Sequence, residues 1–138
     1  MRFALAAGFT AAALAQAPEY QQVATPKQIM AAIQKPAMDA LGAMRKAGGP
    51  KDDKEWAVAQ QNAAVLAETA QLLQLGTRPK DQDVWIKSSQ RLLAGAAASA
   101  KAAEDKDLKA WETSLGSMGG ACRSCHNVHR KDKDKPQQ

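Results

Sequence analysis

The chain has 138 residues, with 19 lysines and arginines against 14 aspartates and glutamates, so its formal net charge is +5. Only 4% of the residues are aromatic, and there is no basic stripe with interleaved aromatic side chains, which excludes the usual pattern of a nucleic-acid-binding surface. Once the N-terminal segment described below is removed, about 120 residues remain, a length that suits one compact domain.

The first 15 residues predict a secretory signal peptide. Arg2 is followed by a short apolar stretch that ends in Ala13-Leu14-Ala15, and we expect cleavage after Ala15. This stretch is shorter than the roughly 20 apolar residues that cross a bilayer, so we predict no membrane span. The signal peptide predicts that the mature protein lies in the periplasm. Residues 16–24 are polar and lack periodicity, and we expect them to form a flexible leader.

Residues 25–131 predict four helices, because strong helix formers dominate there and no alternating strand pattern is present. Helix one begins at Thr25-Pro26 and ends at about Lys46, before a Gly-Gly-Pro sequence. Pro36 lies inside this helix and should kink it, because proline removes one N–H and crowds a carbonyl. The predicted buried stripe of helix one is Met30, Ile33, Ala37, Leu41 and Met44, with Ile29 flanking it.

Three further helices follow after short breaks. Helix two runs from about residues 52–53 to Gly76, helix three begins at Asp81 or Asp83, and helix four follows an acidic break at residues 104–107. Four such helices predict an all-α fold, an antiparallel up-down-up-down four-helix bundle, with a polar tail at 132–138. The predicted buried stripes are Trp56, Ala59, Ala63, Leu66, Ala70 and Leu73; Trp85, Ser88, Leu92, Ala96, Ser99 and Ala103; and Leu108, Trp111, Leu115, Met118, Cys122 and Cys125.

The stretch Cys122-Arg123-Ser124-Cys125-His126 carries the clearest chemical signal. C-x-x-C-H is typical of haem c attachment, because each thiol can form a thioether and the histidine can be the proximal iron ligand. The two cysteines alone would also fit a dithiol oxidoreductase, part of a zinc site or a disulfide. The histidine, the predicted export and the lack of other cysteines favour one covalently bound haem c. Both cysteines lie on the predicted buried stripe, and His126 shares that side of the helix.

The chain resembles the cytochrome c′ family, the class II c-type cytochromes, over nearly all of its mature length. The resemblance is strongest from Ala121 to Lys131, because this family places C-x-x-C-H, three further residues and a basic residue near the end of its fourth helix. It implies that Cys122 and Cys125 form the thioethers, that His126 is the proximal ligand and that Arg130 lies near the haem or its propionates. His129 departs from the family, in which an aromatic residue is common at that position.

The distal side of the haem decides which function the resemblance implies. Some members of the family leave the iron five-coordinate and bind small gases such as NO or CO, whereas others supply a methionine from helix one and transfer electrons. Met30 is the best distal candidate, and Ile33 or Ala37 over an open site is its competitor.

We therefore predict a periplasmic electron carrier with His126 and Met30 as iron ligands, and a gas-binding cytochrome c′ as the alternative. The sequence contains no residue set typical of a hydrolase or kinase, so we predict that the protein is not an enzyme. The implied partners are redox proteins. Members of this family also often pair as homodimers through their first helices.

Overall fold

The computed structural model of the protein describes residues 20–130. The predicted signal peptide, residues 16–19, Lys131 and the predicted tail lie outside the described residues. The described chain forms four helices and no strand, an arrangement compatible with a helical bundle. Helix α1 consists of an α-helical turn Pro26–Ile29, a π-helical turn Met30–Gln34 and an α-helical segment Lys35–Lys46. Helices α2, α3 and α4 are Asp53–Leu72, Val84–Glu104 and Leu108–His129.

Side-chain caps fix the first residues of three helices. The Thr25 hydroxyl accepts a hydrogen bond from the Gln28 N–H at 3.2 Å, and the Gln28 side chain accepts one from the Thr25 N–H at 2.9 Å, which makes a capping box. Asp52 and Asp107 each accept a hydrogen bond from the backbone N–H three residues later, at 2.8 and 2.9 Å. Each such cap contributes about 1 kcal/mol to helix stability. The observed caps confirm the predicted first residues of these three helices.

The core is built from the stripes predicted for α2 and α3, all of whose members are buried. Trp56 and Trp111 meet edge to face with ring centroids 6.0 Å apart and join α2 to α4. Helix α3 packs along both α2 and α4, and Gly95 permits the approach of α4, because a Cβ there would lie 3.0 Å from the Met118 side chain. Leu108, predicted to be buried, is 40% exposed at the first position of α4. Within residues 20–130, no helix combines the length and apolarity that a membrane span requires.

Helix α1 differs from the prediction because it is not a regular α-helix before Pro36. The turn Met30–Gln34 is π-helical, so its hydrogen bonds reach five residues back and it contains one more residue than an α-turn. The spacing of three and four residues between buried positions is therefore not kept across this turn. Ile33 was predicted to be buried, but it is 36% exposed, and Gln34 takes the inward position. Ile29, predicted only to flank the stripe, is buried.

Residues 20–24, the described part of the predicted leader, are joined to the connection between α2 and α3 through Arg78. The buried guanidinium of Arg78 donates hydrogen bonds to the Ala24 carbonyl at 3.0 Å and to the Leu72 carbonyl at 3.1 Å. It also donates to the Tyr20 hydroxyl and lies over the Tyr20 ring. These contacts hold the chain that precedes α1 against the end of α2.

Candidate functional site

Four of the five predicted site residues line one cavity. The cavity has a volume of about 230 Å³ and lies between the first half of α1, the first half of α3 and the end of α4. Cys122, Cys125 and His126 line it from α4, and Met30 lines it from α1. Arg130 is exposed at the end of α4, outside this lining. The other lining residues are Gln34, Lys35, Met38, Leu73, Ser88, Ser89, Leu92 and Ala121.

The two cysteines of α4 are shielded from solvent. They lie three residues apart on one side of the helix, Cys125 buried and Cys122 half-buried. Burial raises the pKa of both thiols, and the negative charge of Asp81 raises the pKa of Cys125 further. Neutral, shielded thiols contrast with the accessible thiolates of lowered pKa on which dithiol oxidoreductases depend. Across residues 20–130, no three His, Cys, Asp or Glu side chains are grouped so as to hold a metal ion.

His126 presents a neutral imidazole to the same cavity. Burial lowers the pKa of His126, and the positive charge of Arg130 lowers it further. The neutral ring is the form that binds a metal ion. Arg130 follows the last residue of α4, and its backbone N–H donates to the His126 carbonyl at 3.3 Å. Arg130 therefore acts on His126 through its charge and the backbone rather than as a wall of the cavity.

Two methionines of α1, Met30 and Met38, line the cavity although they are eight residues apart. In a regular α-helix, eight residues turn through about 800°, which would place these side chains about 80° apart around the axis. The π turn Met30–Gln34 adds one residue, so the two positions correspond to seven α-helical residues, or about two full turns. They therefore share a face, and Met38 is a second thioether at the cavity that regular helical spacing does not reveal.

One buried polar contact holds the π turn against α2. The Gln34 side chain is 8% exposed, and its Nε2 donates to Thr69 Oγ1 at 3.3 Å. A buried amide without a partner costs about 1–3 kcal/mol, so this hydrogen bond favours the inward position of Gln34. Because π turns are frequent at functional sites, the turn also fits the position of this cavity. The only sequence signal for it is Pro36, two residues beyond its end.

A second histidine, His129, joins the end of α4 to the start of α3. Its Nε2 lies 2.6 Å from Oδ2 of Asp81, an ion-pair distance at angles that do not make a hydrogen bond. Its ring meets Trp85 edge to face at 5.5 Å. The other Asp81 oxygen accepts a hydrogen bond from the Trp85 N–H at 3.0 Å, and Trp85 Nε1 donates to the Leu73 carbonyl at 2.8 Å. These contacts fix the end of α4 that carries the two cysteines.

Comparisons with protein-family models, curated proteins and solved structures give no match for this chain. The chemistry of the site therefore rests on the cavity residues themselves. The local motif places three residues on one helical turn, which is why sequence alone finds Cys122, Cys125 and His126. Met38 and Gln34 are found only once the π turn is known.

Proposed function

We propose that this protein is a periplasmic c-type cytochrome of the cytochrome c′ family, with an antiparallel up-down-up-down bundle, that transfers single electrons. The observation that supports the proposal is that Cys122, Cys125 and His126 line one largely apolar cavity together with Met30. Cys122 and Cys125 would hold haem c through two thioethers, and His126 would be its proximal ligand. When bound, the haem would supply one-electron chemistry at its iron. Short connections before α2 and α4 favour the antiparallel arrangement.

The cavity residues fit a covalently attached haem. The two shielded thiols and the neutral imidazole lie within one helical turn of α4, as two thioethers and an iron ligand require. Leu73, Leu92 and Ala121 make adjoining walls apolar, which would keep water away from the iron. The wall formed by α1 offers the thioether sulfurs of Met30 and Met38, and Lys35 of the same wall is paired with Asp39.

Met30 is proposed as the sixth iron ligand. A thioether ligand favours ferrous iron and raises the reduction potential, which suits an electron carrier. The buried Gln34, four residues later, holds the turn that begins at Met30 and so keeps this side chain on the cavity face. Ile33, the competitor that the sequence offered, is exposed and lies outside the cavity lining, which weakens the case for an open site beneath it.

Optical spectra of the full chain matured with haem test the proposal. We expect haem that acidified acetone does not extract, because two thioethers hold it. We expect low-spin spectra in the ferric and the dithionite-reduced protein, unchanged by CO. Met30→Ala should convert the iron to high spin, whereas the matched control Met38→Ala, which removes a thioether from the same cavity, should leave it low-spin.

Other outcomes would assign a different function. A high-spin iron that binds CO in the unaltered protein would favour the alternative, a five-coordinate cytochrome c′ that binds small gases. High-spin iron in Met38→Ala but not in Met30→Ala would move the sixth ligand to Met38. A colourless protein with two titratable thiols would contradict both haem functions and leave a dithiol protein.

A further inference from the structure

Charged side chains are unevenly distributed along the molecule. The cavity end, which we define as residues 20–42, 66–93 and 116–130, carries eight lysines and arginines against four aspartates and glutamates. The remaining described residues, 43–65 and 94–115, form the far end and carry seven of each. The whole positive excess of residues 20–130 therefore lies at the cavity end. Two contacts join the ranges of this end: Gln34 with Thr69, and His129 with Asp81.

Most cations of the cavity end are not neutralised by a neighbouring carboxylate. Lys35 and Lys87 form ion pairs with Asp39 and Asp83, and Arg78 is buried. The other five cations are exposed and have no ion pair within the described part of the chain. They are Lys27, Lys80, Arg91, Arg123 and Arg130.

Three of these exposed cations lie beside the predicted haem residues. The Arg91 guanidinium lies against α4 at Gly120, where an added Cβ would be 3.3 Å from it, two residues before the first cysteine. Arg123 stands between the two cysteines. Lys27 lies three residues before Met30, on the same side of α1. The positive charge is therefore placed around the cavity rather than spread evenly over the surface.

We infer that the cavity end is a docking surface for the acidic face of a redox partner protein. The inference rests on the proposed function, because a carrier that exchanges electrons at the cavity presents this end to its partners. Exposed charge of one sign raises association rates with an oppositely charged surface by about 10- to 1,000-fold at low salt. Ile33 and Val128 are exposed at the same end and add apolar contact area among these exposed cations.

The surface fits a protein better than a lipid membrane. Helices that lie on membranes insert exposed tryptophan, phenylalanine or leucine side chains between the lipids. All three tryptophans of this chain, Trp56, Trp85 and Trp111, are buried. Among the described residues of the cavity end, Leu75, which is 41% exposed, is the single exposed leucine. The cavity end thus offers charge with few large apolar side chains, which is typical of a transient protein interface.

Two charge-reversal variants with equal net charge separate docking from a general effect of charge. K27E/R91E reverses two exposed cations of the cavity end, outside the cysteine motif. K54E/K109E reverses two exposed lysines of the far end and is the matched control. One probe is a ten-residue glutamate peptide, titrated into the full haem-loaded chain while backbone amide NMR signals are followed. The second probe is ferricyanide, which takes one electron from the ferrous protein and becomes ferrocyanide.

We expect the peptide to shift amide signals of the cavity end. K27E/R91E should weaken peptide binding and slow oxidation by ferricyanide, each by about tenfold at low salt. Both effects should fade as salt shortens the Debye length from about 30 Å at 0.01 M to about 3 Å at 1 M. K54E/K109E should change either quantity by less than about twofold at about 0.1 M salt, because Lys109 lies about 20 Å along the helix from Cys122 and the Debye length is then about 10 Å.

Equal effects of the two variants, or peptide shifts confined to the far end, would overturn the inference. Binding to phosphatidylglycerol vesicles without binding to the peptide would overturn it in favour of a membrane surface. A colourless protein would defeat the proposed function instead. The peptide titration needs no haem, so it would still decide whether the cavity end binds an acidic surface.

Discussion

Replacing Pro36 by alanine should remove the π turn from α1. Proline lacks an N–H, and in a regular α-helix its ring would collide with the carbonyl four residues earlier, which belongs to Ala32. The wider turn Met30–Gln34 ends just before this proline and avoids the collision. Alanine restores the N–H and is the best helix former, so we expect one continuous α-helix in the variant.

The size of the change follows from helix geometry. An α-turn uses one residue fewer than the π turn, and one residue corresponds to about 100° of rotation and about 1.5 Å of rise. Ala37 and Leu41 are anchored in the core, so the part of α1 before the turn would rotate by about 100°. Met30 would move from the cavity face to the face of Ala37. Ala31, seven residues before Met38, would take its place at the cavity.

Methionine-methyl NMR and the optical spectrum would report this rotation. We expect the Met30 methyl resonance to move and the haem iron of Pro36→Ala to become high-spin, as in Met30→Ala. Pro26→Ala is the matched control, because Pro26 is the first residue of the same helix, where the N–H has no helical partner in any case. The control should leave both signals unchanged.

An unchanged Met30 methyl resonance in a low-spin Pro36→Ala protein would refute this reasoning. The π turn would then persist without the proline, and its cause would be the buried hydrogen bond between Gln34 and Thr69. Gln34→Leu would separate the two causes, since it removes the hydrogen bond and keeps the proline.

Four other substitutions test individual buried or charged groups by their effect on stability. Ser99→Ala should raise the free energy of unfolding by about 1 kcal/mol in urea denaturation, because the fully buried Ser99 hydroxyl has no hydrogen-bond partner in the described chain. Ser114→Ala removes a 2.6 Å hydrogen bond to a carbonyl and should give no such gain; a gain in both would contradict the account. Arg78→Ala should lower the free energy of unfolding by about 3 kcal/mol, because a buried guanidinium that hydrogen-bonds two carbonyls is lost, and a loss below about 1 kcal/mol would argue against this clamp. Asp81→Asn should lower Tm near neutral pH. The Trp85 N–H holds the pKa of Asp81 below its ordinary value of 3.8, so the stability that it contributes is present above that value and is lost as pH falls through the folded pKa. A Tm difference that persists at about pH 2 would contradict that linkage.

Regular periodicity explains why α2, α3 and α4 could be predicted from the sequence. Each stripe is interrupted by neither proline nor an extra residue, and the α2 stripe from Trp56 to Leu73 is buried throughout. The caps Asp52 and Asp107 are local signals, since the cap and its partner lie three residues apart. The prediction fails in α1 at Ile33, because spacing rules assume 3.6 residues per turn and the π turn has more.

The residues of the candidate site also fall into two groups, those that local sequence spacing predicts and those that it does not. The C-x-x-C-H residues lie on one helical turn, so their spacing alone places them together. The contact of His129 with Asp81 joins residues 48 positions apart in different helices, and no local pattern marks it. Met38 lies just off the stripe predicted for α1, and its place at the cavity depends on a turn before Pro36 whose form the sequence does not specify.

A group that fills the cavity would bury its apolar walls and so stabilise the folded chain. Leu73, Leu92 and Ala121 are among its apolar walls, and burying apolar surface contributes about 25 cal/mol per Å². We therefore expect the chain matured with haem to unfold with a free energy several kcal/mol above that of C122A/C125A, which cannot attach haem covalently. C122A alone, which keeps one thioether, should lie between the two. Equal urea midpoints for the matured chain and C122A/C125A would show that the group does not fill this cavity and would remove the main support for a haem there.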